Sequence, residues 1–141
     1  MREAAPGPIL VIGLGCRQGC SAEHLRALIE HSLGKAGISL SEISALASID
    51  TKQHEPGLLQ VAAHLNLRLE VFSAEQLAPY TSRLSHHSTI AFEHTGCLGI
   101  AESASVALSE QLGTLPASVL IKKKKSSAAT FALASSEQKP R

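Results

Sequence analysis

The sequence predicts a three-layer α/β/α domain, with a mixed, partly parallel sheet of about five strands and a C-terminal antiparallel hairpin. Three observations lead there. Residues Ile9 to Ile12 form an apolar, β-branched run without polar alternation, which suits a strand buried on both faces. Strand and helix patterns then alternate as far as Val71, the rhythm of parallel strands joined by helical crossovers. The last two strand patterns, Ser118 to Ile121 and Thr130 to Leu133, are separated by only about eight residues, too few for a crossover helix.

Each element has a local cause. Residues Gly13 to Gly19 read as a glycine-spaced turn after the first strand. Ser21 then caps a helix whose apolar positions Leu25, Leu28, Ile29, Leu33 and Ala36 share one face, and Gly34 or Gly37 ends it. Ser39 and Glu42 have capping-box spacing before a strand from Ala45 to Ile49 that ends in Asp50. A second helix opens at Glu55-Pro56-Gly57, where proline's missing N–H costs least, and runs to about Leu65. Leu67, Leu69 and Val71 alternate with Arg68 and Glu70 as a half-buried strand. Ser73 and Gln76 cap a short helix that Pro79 is expected to end, with a polar loop from Tyr80 to Ser85. Two helical pieces follow His86, one with Ile90 and Phe92, the other with Ile100, Ala104, Ala107 and Leu108. Residues 1–134 therefore form one domain, and 135–141 a flexible polar tail.

Composition narrows the function. Thirteen Lys and Arg face 12 Asp and Glu, a net charge of +1, so no broad positive field favours nucleic acid. Three Phe, one Tyr and no Trp leave little for base stacking. No apolar stretch approaches the roughly 20 residues of a membrane span. Cys16, Cys20 and Cys97 read as reduced thiols of a cytoplasmic protein, and no His, Cys or carboxylate set has zinc-ligand spacing. Neither a metal nor a cofactor is expected.

Three segments can carry chemistry. Gly13-Leu14-Gly15-Cys16-Arg17-Gln18-Gly19 offers backbone N–H groups to an anion, and Arg17 a bidentate fork for a carboxylate. Its spacing approaches the dinucleotide fingerprint, but the acidic residue expected about 20 positions on arrives only at Asp50. Cys16, beside Arg17 and near a helix start, is a candidate thiolate nucleophile. At the exit of the second strand, Asp50, Lys52, His54 and Glu55 combine acid/base and ion-pair chemistry; the plainer reading is a polar loop before a helix. Lys122 to Lys125 is a dense cationic run that attracts phosphates or carboxylates, or else guards an edge strand against pairing.

Taken together, Gly13-Leu14-Gly15-Cys16-Arg17 with Gly19, and Ile49-Asp50-x-Lys52-x-x-Glu55-x-Gly57-Leu58, resemble the cobalamin-biosynthesis family of CobE and the C-terminal domain of CbiG. Phe72 to Leu77, Gly96-x-x-Gly99-Ile100-Ala101-Glu102, and Lys122-x-Lys124 before Thr130 extend the match in order over nearly the whole chain. The chain looks most like the free-standing branch of that family, of the aerobic route. The resemblance implies work on precorrins, macrocycles fringed with carboxylates. One expectation is a binding or carrier module for a precorrin or a hydrogenobyrinic-acid-like tetrapyrrole, held by Gly13, Gly15, Arg17, Gly19, Lys52, Gly96, Lys122 and Lys124. The alternative is an enzyme that opens a precorrin lactone, as CbiG-type proteins do, with Asp50, Glu55 or Cys16 as catalytic groups. Other cobalamin-pathway enzymes are the expected protein partners.

Overall fold

A computed structural model describes residues 8–16, 19–50, 54–83, 100–113, 116–126 and 129–136. Its five-stranded sheet has the order β3-β2-β1-β5-β4. Strands β1 (Ile9–Cys16), β2 (Ala45–Ile49) and β3 (Leu69–Phe72) are parallel. Strand β5 (Ala129–Ser136) runs antiparallel to β1 and to β4 (Ser118–Lys125), which forms one edge. Helices α1 (Ala22–Ala36), α2 (Pro56–Leu65), α3 (Ala74–Arg83) and α4 (Ile100–Leu112) complete the three layers. The expected mixed sheet and C-terminal antiparallel pair are both present.

Alternation along the strands assigns the helices to faces. Leu10, Ile12 and Leu14 of β1, Leu46 of β2, and Phe131 and Leu133 of β5 pack with Leu25, Ile29 and Leu33 of α1 and Leu58 and Val61 of α2. Val11, Ala45, Ala47 and Ile49 point to the opposite layer, against Leu77 of α3 and Ala104, Ala107 and Leu108 of α4. The alanines of β2 leave room for α4 to lie close to the sheet. Gly13 completes that fit, because a Cβ there would sit 1.8 Å from the Ala101 carbonyl oxygen.

Caps set most helix boundaries. The Ser21 hydroxyl accepts the His24 N–H, and Gly37 closes α1 in the left-handed region at φ 72°. Ser39 with Glu42, and Ser73 with Gln76, make reciprocal capping boxes. Glu55 is the N-cap of α2, with Pro56 at the first helical position.

Four boundaries differ from expectation. Strand β1 continues through Gly13 and Gly15 to Cys16, because eight successive pairs with β5 satisfy its backbone. Helix α3 continues through Pro79 to Arg83. Burial of Leu77, with Tyr80 packed against the same cluster, offsets the lost hydrogen bond. Strands β4 and β5 reach Lys125 and Ala129, so the connection is shorter than the expected eight residues. Strand β5 also takes in Ser135 and the buried Ser136, the first two residues of the expected tail. The helical piece with Ile90 and Phe92 lies outside the described residues.

Candidate functional site at the carboxyl edge of the sheet

Parallel strands deliver their carboxyl ends to one edge, where an open α/β sheet collects ligands. Here β1 ends on Cys16, β2 on Ile49 and β3 on Phe72. The helix following each strand starts from that edge, at Ser21, Glu55 and Ser73. The antiparallel pair contributes from the other side of β1. Ala129 lies opposite Cys16, and Thr130 lies opposite both Gly15 and Lys125. Lys125, Thr130 and Gly15 thus form one row at the carboxyl edge. A Cβ on Gly15 would approach the Thr130 hydroxyl to 2.7 Å, so Gly15 lets that hydroxyl lie close over β1.

On the face that carries α1 and α2, the starts of those helices form a cleft of about 420 Å³ lined by Gly19, Cys20, Glu23, Glu55, Pro56 and Gln60. The two helices meet closely because residue 57 is glycine; a Cβ there would sit 1.9 Å from the Cys20 carbonyl oxygen. Glu55 is buried, and its Oε2 accepts the Gly19 N–H at 2.6 Å. Gly19 turns there at φ 83°, a conformation that favours glycine. Burial pushes the Cys20 thiol pKa up, and the Glu55 carboxylate pushes it further.

This geometry redistributes the sequence-derived candidates. Gly13 is buried in β1 beneath α4, rather than in a turn. Gly15 is also a strand residue. The Gly19 N–H is not open to a ligand, because Glu55 holds it. Cys16 closes β1, whereas the cap of α1 is Ser21, so the thiol beside the helix start is Cys20. Asp50 is half-buried just past β2. Glu55 is present and committed as an acceptor. Lys122 and Lys124 are exposed on β4. Lys124 lies beside Leu28, His31 and Lys35 of α1, on the flank of the sheet. The cause is a register shift between Ile121 and Lys124, which places both on the face that carries α1. Arg17, Lys52 and Gly96 lie outside the described residues.

Some contributors carried weak sequence signals. Thr130 stood out as a strand residue and as the end of a family-matching segment, but its place opposite Gly15 depends on pairing across more than a hundred positions. His24 reads as an exposed helix residue but is half-buried, and its Nε2 lies 2.6 Å from the Ser126 hydroxyl in the β4–β5 turn. That contact fastens the hairpin to the start of α1.

The architecture defines an open-sheet α/β domain whose polar groups gather at the carboxyl ends of its parallel strands. Residues 10–134 match the family described as Cobalamin synthesis G C-terminus, and the chain belongs to that family. Protein CobE of Sinorhizobium sp. is 39% identical over 100 residues, covering 71% of this chain and 65% of that protein. A cobalt-precorrin-5A hydrolase of Priestia megaterium is 32% identical over 98 residues, covering 70% of this chain and 26% of that one. The chain therefore spans just under two thirds of the first relative's length and about a quarter of the second's. The solved structure of CobE, a protein from the cobalamin (vitamin B12) biosynthetic pathway, superposes with a TM-score of 0.88 at 45% identity, over 96% of this chain and 98% of that one. Among the described residues, no helix is long and apolar enough to cross a membrane.

Proposed function

We propose that this domain binds a polycarboxylate precorrin, or a hydrogenobyrinic-acid-like corrinoid, at the carboxyl edge of its sheet, and holds or passes it on during cobalamin biosynthesis by the aerobic route. The family match carries the substrate class, and one structural observation carries the place. Three strand ends, the helix starts that follow them and the Lys125–Thr130–Gly15 row meet along a single edge. The α1–α2 cleft is lined by the acids Glu23 and Glu55, with no cation among its described lining residues. A carboxylate fringe therefore draws its counter-charge from elsewhere on the edge. Lys125 lies there, and Arg17 and Lys52 follow the ends of β1 and β2 in sequence. We place this work in the cytoplasm, in contact with other enzymes of the pathway.

A second reading, hydrolysis, is favoured by the similarity to the cobalt-precorrin-5A hydrolase. It would use Asp50, Glu55 or Cys16 in acid/base or nucleophilic roles. Glu55 is the weakest of these, since it already accepts the Gly19 N–H.

Titration with hydrogenobyrinic acid, followed by its absorption spectrum and by gel filtration, tests binding. A spectral shift with co-elution is the expected result; neither one appearing sinks the proposal. Incubation with a precorrin then separates the readings. A carrier returns the compound unchanged, and its retention survives Asp50→Asn and Cys16→Ser. An enzyme converts it and loses turnover with at least one of those changes or with Glu55→Gln.

A further inference from the structure

Strand β4 is an edge strand with one face only partly covered. Helix α4 packs on β4 and β5 from one side, whereas α1 packs on β5 from the other and leaves β4 projecting beyond it. The step between α1 and β4 is a groove of about 430 Å³. Its floor includes Leu28, Ile121 and the buried Ser32, and its rim carries His31, Lys35 and Lys124, all exposed. His31 and Lys35 are one helical turn apart on α1, and Lys124 faces them from the strand. No acid is among the described lining residues. The nearby Glu30 is held by Arg26 at 3.5 Å.

We infer that this flank groove is a docking site for an acidic amphipathic segment of a protein partner, separate from the carboxyl edge. Charge complementarity selects the acidic partner, and the apolar floor selects an amphipathic one. A small ligand is disfavoured because the groove is open along the rim, whereas small-molecule sites enclose most of their ligand. Addition of a partner strand to β4 is also disfavoured. The strand has register shifts at Val119/Ile121 and at Ile121/Lys124, and a run of lysines, both of which obstruct regular edge pairing. A segment that lays side chains into the groove meets neither obstacle.

The test uses the full chain and a fluorescein-labelled peptide of alternating Glu- and Leu-rich turns, followed by anisotropy. Saturable binding is expected, weakening about tenfold when salt rises from about 0.05 to about 0.3 M. The double change Lys35→Glu with Lys124→Glu should weaken it by a further factor of about ten or more. Arg68→Glu, a similar charge reversal at the opposite edge of the sheet, should leave it within about twofold. Circular dichroism confirms that each variant is folded. Absence of saturable binding overturns the inference, as does equal loss in Arg68→Glu. Stoichiometric displacement of the peptide by hydrogenobyrinic acid also overturns it, because the groove would then belong to the corrinoid site.

Discussion

The carboxylate of Glu55 accepts the backbone N–H of Gly19 at 2.6 Å, joining two loops that lie 36 residues apart. One follows β1 and the other follows β2, so this bond ties together the chain segments that leave two neighbouring strands. Glu55→Ala leaves the Gly19 N–H without its acceptor and should cost about 1–3 kcal/mol in urea denaturation. Glu55→Gln keeps an oxygen acceptor and should cost less than half as much. Equal losses in the two variants would show that the bond adds little.

Cys20 is the thiol to watch at alkaline pH. Burial raises its pKa, and the Glu55 carboxylate raises it further, so the folded chain holds the proton more tightly than the unfolded chain does. Stability linked to this proton is complete below the ordinary thiol value of 9.0 and is lost as pH rises from there through the folded value. Cys20→Ala should flatten the fall in melting temperature above that pH, relative to the parent. Alkylation of Cys20 by iodoacetamide should be slow at neutral pH and faster in Glu55→Gln. Rapid labelling of Cys20 in the parent chain would contradict both the burial and the shift.

The layers of this fold could be read from local signals, and the site only in outline. The β-branched run at Ile9 to Ile12, the cap at Ser21 and the Glu55-Pro56-Gly57 start each act within a few residues, so periodicity and capping chemistry located them. What escaped depends on partners distant in sequence. Gly13 and Gly15 resemble turn glycines until β5 pairs with them and α4 descends on Gly13. Pro79 reads as a helix stop until the burial of Leu77 and the packing of Tyr80 are counted. The four lysines look equivalent in sequence. A register shift sends Lys124 to the flank and leaves Lys125 in the row with Gly15.

Gly13 should be the least tolerant glycine of the sheet. A Cβ there would lie 1.8 Å from the Ala101 carbonyl oxygen and 3.1 Å from the Ser105 Cβ. The obstacle is helix backbone, which cannot turn aside as a side chain does. Gly13→Ala must therefore lift α4 from β1, and should cost about 3 kcal/mol or more in equilibrium unfolding. Gly34→Ala is the control, since a Cβ meets nothing within 4 Å there. It should be neutral or stabilising by up to about 1 kcal/mol, because alanine favours the helix.

Pro79 is exposed within α3, where proline lacks the N–H that would donate to the turn before it. Pro79→Ala restores the donor and should raise stability by about 1 kcal/mol, after part of the gain is offset by a freer unfolded chain. Thermal melts of the two proteins decide it. A lower melting temperature for the alanine variant would mean that the proline ring contributes packing beyond the helix.

The lysine run offers a direct way to separate the carboxyl edge from the flank. Lys125 lies opposite Thr130, and Thr130 opposite Gly15, so charge reversal at Lys125 acts beside the proposed corrinoid position. Lys124 belongs instead to the groove with His31 and Lys35. Lys125→Glu should weaken hydrogenobyrinic acid binding by about tenfold at low salt, the scale expected for reversing one charge at the binding edge. Lys124→Glu should change it by no more than about threefold, the residue of long-range attraction that added salt removes. Isothermal titration of both variants at two salt concentrations distinguishes local contact from general field. If the two reversals weaken binding equally, and salt abolishes both effects, the lysines serve as a diffuse attractor and the row through Gly15 is not the binding edge.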